Sequence, residues 1–242
     1  MKTKKMRNWV TLAASAVFLP LAVMFISSCN KDNKVEQLAT NISTGSDIID
    51  FSTGNSEWAM DKHHSNVGWE TYYYGDNAFL TGRFNMFDCK MYFDQANPEN
   101  TVIHGWVQLS TFNTGEPGRD GAGKCGPGYI GVQWDIDTVP DPDVYTPVAS
   151  TDTAWFNSTS VERFGDGYVA HGNLKFRGIE NPVDLYFQYL GIHEYPSTSG
   201  GASTFRSSFT GQFDMLANSV YGVNSTSIAD LVTVKVNMEA KK

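Results

Sequence analysis

The sequence predicts an all-β domain, built as an antiparallel sandwich or barrel. Two observations carry the prediction: apolar residues recur with a period of two in many short segments, and clusters of Gly, Pro, Asn, Asp and Ser separate those segments. A third supports it, since no long stretch shows helical periodicity.

The elements follow in chain order. Lys2, Lys4, Lys5 and Arg7 form a positive start, and a largely apolar run extends from Trp9 to Ile26, ending at Ile26-Ser27-Ser28-Cys29. Small residues before a cysteine, after a short apolar segment, mark a processed secretion signal over residues 1–28. This stretch resembles a bacterial lipobox, which implies acylation of Cys29 and tethering to a membrane surface. The alternative is an uncleaved anchor, because the run approaches the ~17–25 residues that span a bilayer. The polar NKDNKVEQ directly after Cys29 suits a tether better. Residues 29–56 read as a flexible polar tether and 57–242 as one domain.

Within that domain Val67, Trp69, Thr71 and Tyr73 alternate with polar or small residues, as do Cys89, Met91 and Phe93. Val107 and Leu109 flank Gln108. Residues 115–147 break the pattern: GEPGRDGAGKCGPGYIG and VPDPDVYTP are too rich in Gly and Pro for regular elements, so a long ordered loop over one end of the sheet is expected. Leu174 and Phe176, then Val183, Leu185, Phe187 and Tyr189, alternate on the two sides of a short turn. Phe205, Phe209 and Phe213 share a parity, and Val232, Val234, Val236 and Met238 close the chain with the cleanest alternation.

Charge narrows the partners. The chain has 18 Lys+Arg and 26 Asp+Glu, a net −8 with histidines neutral. Four of the basic residues and none of the acidic ones precede Cys29, so the chain from Cys29 onward carries 14 against 26, a net −12. No basic cluster lies outside the first segment, which sets nucleic acid aside. Of three cysteines, Cys29 is assigned to lipid; Cys89 and Cys125 then form an even pair in an exported compartment and are expected to be disulfide-bonded, the alternative being two free thiols. Asp61, His63 and His64 are close in sequence, but on a strand the two histidines point to opposite faces, so no metal site is expected. No nucleophile elbow, paired-carboxylate motif or phosphate loop occurs, and no catalytic residue is assigned.

Several segments in order resemble the YceI-like, polyisoprenoid-binding family. Trp58, Asp61, His64 and Ser65 are similar to its W-x-x-D-x-x-HS opening. Gly82-Arg83-Phe84 with Phe87, and Ser110 to Gly115 (STFNTG), resemble its next two elements. Gly172-Asn173-Leu174, Gly178, Pro182-Val183 and Leu185 resemble G-x-L-x-x-x-G-x-x-x-P-V-x-L. Phe209-Thr210-Gly211, Tyr221-Gly222-Val223, and Asp230 with Val232 resemble the closing elements. The chain departs in three places: the Gly/Pro-rich loop replaces a charged H-L segment, an arginine before Tyr221 is missing, and so is a second histidine after the first strand.

The resemblance implies an extended, lipocalin-like barrel of about eight strands with a long isoprenoid in its bore. It needs no cofactor; a polyisoprenoid or an isoprenoid quinone is the implied ligand, with a homodimer and an N-terminal membrane anchor as further partners. The implied setting is the bacterial cell envelope, at the outer membrane on its periplasmic or surface face, in a carrier, storage or envelope-stress role. The inward set is Val67, Trp69, Phe84, Phe93, Leu174, Phe176, Leu185, Phe187, Phe209, Phe213, Val232 and Val234; the bland alternative is that these fill the core completely. A second reading is a surface-attached β-sandwich adhesin or glycan-binding module, for which Tyr72, Tyr74, Trp106 and Trp134 would supply aromatic platforms.

Overall fold

A computed structural model describes residues 45–75, 77–120, 130, 134–135, 146–147, 152–197 and 200–242, with only the backbone described at 134–135 and 146–147. The signal segment, Cys29, most of the tether, Cys125 and the Trp134 side chain lie outside the described residues. So does most of the expected Gly/Pro-rich loop.

The strands, in chain order, are β1 (Ile48–Asp50), β2 (Ala59–Met60), β3 (Asn66–Tyr73), β4 (Ala78–Phe84), β5 (Phe87–Asp94), β6 (Val102–Gln108), β7 (Phe112–Asn113), β8 (Trp134–Asp135), β9 (Thr146–Pro147), β10 (Thr153–Phe164), β11 (Gly167–Phe176), β12 (Ile179–Tyr195), β13 (Thr204–Leu216) and β14 (Leu231–Lys241). Two single turns of 3-10 helix, Pro98–Asn100 and Leu109–Thr111, are the helical elements among the described residues. One antiparallel sheet runs β1-β5-β6-β10-β11-β12-β13-β14-β3-β4-β7, with β2 added beside β14. Strands β8 and β9 form a separate two-stranded ladder inside the segment expected to be loop.

The sheet curls until its two ends meet at the corner between β4 and β5. The join is made by chain corners. Strand β7 pairs Phe112 with Phe84 and Asn113 with Arg83. The Asn85 N–H donates to the Thr111 carbonyl at 3.1 Å and the Met86 N–H to Thr111 Oγ1 at 3.0 Å, while the Gln108 N–H donates to the Met86 carbonyl at 2.9 Å. Among the described residues β4 and β5 do not pair with each other along the rest of this seam; β7 covers Arg83 and Phe84 of β4, and β1 covers Tyr92 to Asp94 of β5.

Period-two burial holds along the wall. In β5, Phe87, Cys89, Met91 and Phe93 are buried while Lys90 is exposed. In β11, Leu174 and Phe176 are buried on either side of exposed Lys175. The glycines quoted above have steric reasons. A Cβ on Gly82 would stand 2.3 Å from the Trp69 indole, so glycine lets that ring lie flat across β4. Gly178, at φ 80°, makes the tight β11–β12 turn that L side chains disfavour.

Strand β1 falls inside the span, 29–56, that was expected to be tether. Ile48–Asp50 pairs with β5, Ile49 against Phe93, and Ile49 is fully buried. Three residues inside a polar context are too few to register as period-two alternation, yet burying Ile49 and Phe51 is enough to hold the segment.

Candidate functional site: an apolar cavity behind an aromatic plug

The barrel interior is divided. At one end Phe93 sits at the centre of a ring cluster, 4.8 Å from Tyr189, 5.2 Å from Phe209, 5.3 Å from Tyr168 and 6.3 Å from Phe187 between centroids. Tyr168 stacks on Phe187 at 5.2 Å. Offset and edge-to-face rings at these distances pack solidly. The Tyr189 hydroxyl donates to Asp47 Oδ2 at 2.7 Å; burial first, and then that hydrogen bond, push its phenol well above the ordinary range. Arg163 lies over Tyr168, 5.4 Å from the ring centroid, and Nη2 donates to the Gln95 carbonyl at 2.5 Å.

Beyond this plug lies a cavity of about 330 Å³. That is at the small end of the ~300–1,000 Å³ typical of ligand pockets. Of the twelve predicted residues, Val67, Trp69, Phe84, Leu174, Phe176, Leu185, Phe213, Val232 and Val234 border it. Phe93, Phe187 and Phe209 do not border it; they build the plug. Their parity is inward, as expected, but they sit further along the barrel axis, where rings from four strands fill the bore. Ile103, Phe112, Phe156, Met215 and Met238 also border the cavity and were missed. Ala154 and Phe156 carry a period-two signal, so that strand was readable; Phe112 belongs to a two-residue strand and was not.

Polar contributions to the wall are few: Thr71, Asp88, Arg119 and Ser227 border the cavity among the described residues. The Thr71 hydroxyl is already used, donating to the Leu231 carbonyl at 2.8 Å. Arg119 and Ile130 belong to the Gly/Pro-rich segment, so its described part does reach this space. Tyr221, buried behind Phe176 with ring centroids 5.6 Å apart, donates to the Leu174 carbonyl at 3.3 Å, and burial pushes its phenol up to about 12.

Cys89 also borders the cavity and is a free thiol among the described residues. Alternation along β5 turns its side chain to the buried face. Burial, and after it the neighbouring Asp88 charge, raise the thiol to about 12. The predicted partner, Cys125, lies outside the described residues.

Asp61, His64 and Glu239 place one ligand-type atom each within 4.8 Å of one another, outside the barrel bore. The cation among them is Arg206: Nη1 lies 3.0 Å from Asp61 Oδ2 and 3.1 Å from His64 Nδ1, and it also hydrogen-bonds Glu239. Burial by itself would raise the Asp61 carboxyl, but the His64 hydrogen bond, the His63 N–H and the Lys241 charge outweigh it and hold the group below the ordinary carboxylate range. Ser65 accepts from the Glu239 N–H at 2.9 Å and donates to the Asp61 carbonyl at 2.8 Å. Residues 62–64 form a turn, so the strand geometry expected for the two histidines does not apply, and the group staples the β2 segment to β14.

Comparison with known proteins agrees with this architecture. A YceI-like domain matches residues 58–240. A UPF0312 protein of Pseudomonas aeruginosa is 27% identical over 119 residues, covering 49% of this chain and 53% of that protein. A UPF0312 protein of Yersinia pestis is 29% identical over 116 residues, covering 47% and 50%. The chain spans about half the length of the curated relatives it matches. Among solved structures, BcnA of Burkholderia cenocepacia superposes with a TM-score of 0.52 at 18% identity, over 74% of this chain and 98% of that one, which shows the lipocalin-like fold. With its domain matched almost end to end, the chain belongs to the YceI-like domain family.

Proposed function

We propose that this protein binds a long-chain isoprenoid or similar lipid in the barrel interior and serves as a carrier or reservoir in the bacterial cell envelope. One observation carries the reading: a cavity walled almost wholly by aliphatic and aromatic side chains, blind at the ring cluster. Asp88 and Arg119 are the charged residues on that wall among the described ones, and what the rest of it offers is hydrophobic transfer. At about 0.8 kcal/mol per buried CH₂, a five-carbon isoprene unit contributes at most about 4 kcal/mol before the cost of ordering the chain. One or two buried units suffice for useful affinity, and the modest volume suits part of a long tail. An isoprenoid quinone meets the same requirement. The proposed activity is binding, with no catalytic step assigned.

The lipid anchor at Cys29, the outer-membrane setting, the envelope-stress role and a homodimer belong to the same proposal; their support is the lipobox-like sequence and the family. The adhesin alternative draws on exposed Tyr72 and Tyr74 and on the Trp106–Trp155 pair, with centroids 6.0 Å apart. It requires a filled interior, and the cavity favours the lipid reading over it.

The test is mass spectrometry of organic extracts from the purified full-length protein and its Phe176→Asp variant. We expect a co-purifying isoprenoid in the wild type and its loss in a variant that keeps the wild-type circular dichroism. A wild type free of extractable lipid, or a folded variant retaining it, would overturn the proposal.

A further inference from the structure

At the barrel end away from the plug lie the β11–β12 turn at Arg177–Gly178, the β13–β14 loop over 217–230 and the β3–β4 turn after Tyr73, along with the start and finish of the segment joining β6 to β10. These strands are consecutive neighbours in the sheet, so the turns share one end. They present apolar side chains to water. Ile179, Leu216, Tyr72 and Tyr73 are exposed, and Tyr74 and Phe79 reach 61% and 58%. Single exposed hydrophobics are ordinary, but six on the turns of one barrel end, with Tyr72 against Phe79 at 5.6 Å and Tyr73 against Tyr74 at 4.5 Å, are not. Tyr73 and Ile228 form a β-bridge and both border the cavity, so apolar surface continues from the bore onto the hairpin.

The hairpin is also held rigidly. The Tyr74 N–H donates to the Ser227 carbonyl at 2.7 Å, the Ala229 N–H to the Tyr72 carbonyl at 2.8 Å, and Asn77 Nδ2 to the Tyr74 carbonyl at 2.8 Å. Tyr74 adopts φ 48°, a region that bulky side chains rarely occupy.

We propose that this rim is a membrane-contact surface, with the β3–β4 hairpin seating its rings in the interfacial layer of a neutral, zwitterionic bilayer. Tyrosine suits that layer because its ring is apolar and its tip is wet. Residues 72–81 contain no Lys or Arg, and the whole chain is acidic, so attraction to anionic headgroups is not the driving force. The purpose of the contact rests on the lipid-binding reading: a hydrocarbon tail passes from bilayer to bore without crossing water. The geometry of the contact does not depend on that reading.

The experiment uses the full chain with Cys29→Ser and Cys125→Ser, leaving buried Cys89, and an environment-sensitive fluorophore placed through Asn77→Cys or, as the control at the opposite end, Asp166→Cys. With phosphatidylcholine vesicles, the probe at 77 should shift to the blue and brighten while the probe at 166 stays unchanged. A shift at 166 alone, no shift at either site, or a response only to anionic vesicles would overturn the proposal. The paired variant Tyr74→Ser/Phe79→Ser alters exposed side chains and leaves the cavity intact. It should take up lipid from vesicles several-fold more slowly than wild type, and an unchanged rate would overturn the proposed role in loading. A protein that docks at residue 77 yet yields no lipid on extraction would sink the carrier reading and leave the contact surface standing; bound lipid with no docking signal would do the reverse.

Discussion

Replacing Phe93 and Phe176 by alanine, one at a time in lipid-stripped protein, tests the division of the barrel into plug and cavity. Both rings are buried, at 0% and 6% exposure, so exposure alone predicts similar losses. Their surroundings differ. Phe93 has four aromatic neighbours at 4.8–6.3 Å and no open space beside it. Phe176 packs against Tyr221 on one side and borders the cavity on the other. A Phe→Ala change in solid packing costs about 3–5 kcal/mol, combining lost transfer energy with the new void. At Phe93 both contributions apply, and the broken ring pairs, worth roughly 0.5–1.5 kcal/mol each, move the loss to the upper end, ~5 kcal/mol. At Phe176 much of the void already exists, so mainly the transfer contribution remains, about 2–3 kcal/mol. The expected gap of ~2 kcal/mol corresponds to roughly 4–8 °C in Tm for a domain of this size. Urea unfolding followed by circular dichroism measures it, provided the two variants share one m-value. Equal losses at the two positions would refute the division, since they would mean that the two ends of the bore are packed alike.

Against the effect of burial, the His64 hydrogen bond, the His63 N–H and the Lys241 charge hold the Asp61 carboxyl below the ordinary carboxylate range, so folding favours its ionised form. That contribution is complete at neutral pH and is lost as pH falls below the unfolded value of ~3.9 toward the folded one. Asp61→Asn should therefore lower the urea midpoint at pH 7 and flatten its decline as pH falls through and below about 4; parallel curves for the two proteins would exclude the staple at β2. Cys29→Ser should move the protein out of the membrane pellet on cell fractionation. Retention there would assign anchoring to the apolar run from Trp9 to Ile26 instead.

The inward set was legible because strand alternation is a local property. Trp69, Leu174 and Val234 reveal their face through their immediate neighbours, and no knowledge of the rest of the chain is needed. Phe187 and Phe209 show the limit: the sequence states which way they point but not how far along the axis they lie. Axial position depends on register, which places Phe209 opposite Tyr189 and sets Tyr168 against Phe187 across the β11–β12 ladder. Strand β1 was hidden because its pairing involves three residues whose partners are 42 to 46 positions away. An even cysteine count is likewise silent about which side of the sheet a thiol faces, and Cys89 faces inward.

Class, strand parity and acidic character were thus determined by the sequence itself, since each is written in neighbouring residues or in their sum. Whether the oily interior is plugged or hollow was decided only by the tertiary structure. Rings from β5, β11, β12 and β13 must converge to fill a bore, and convergence is a property of the closed sheet that no single segment contains.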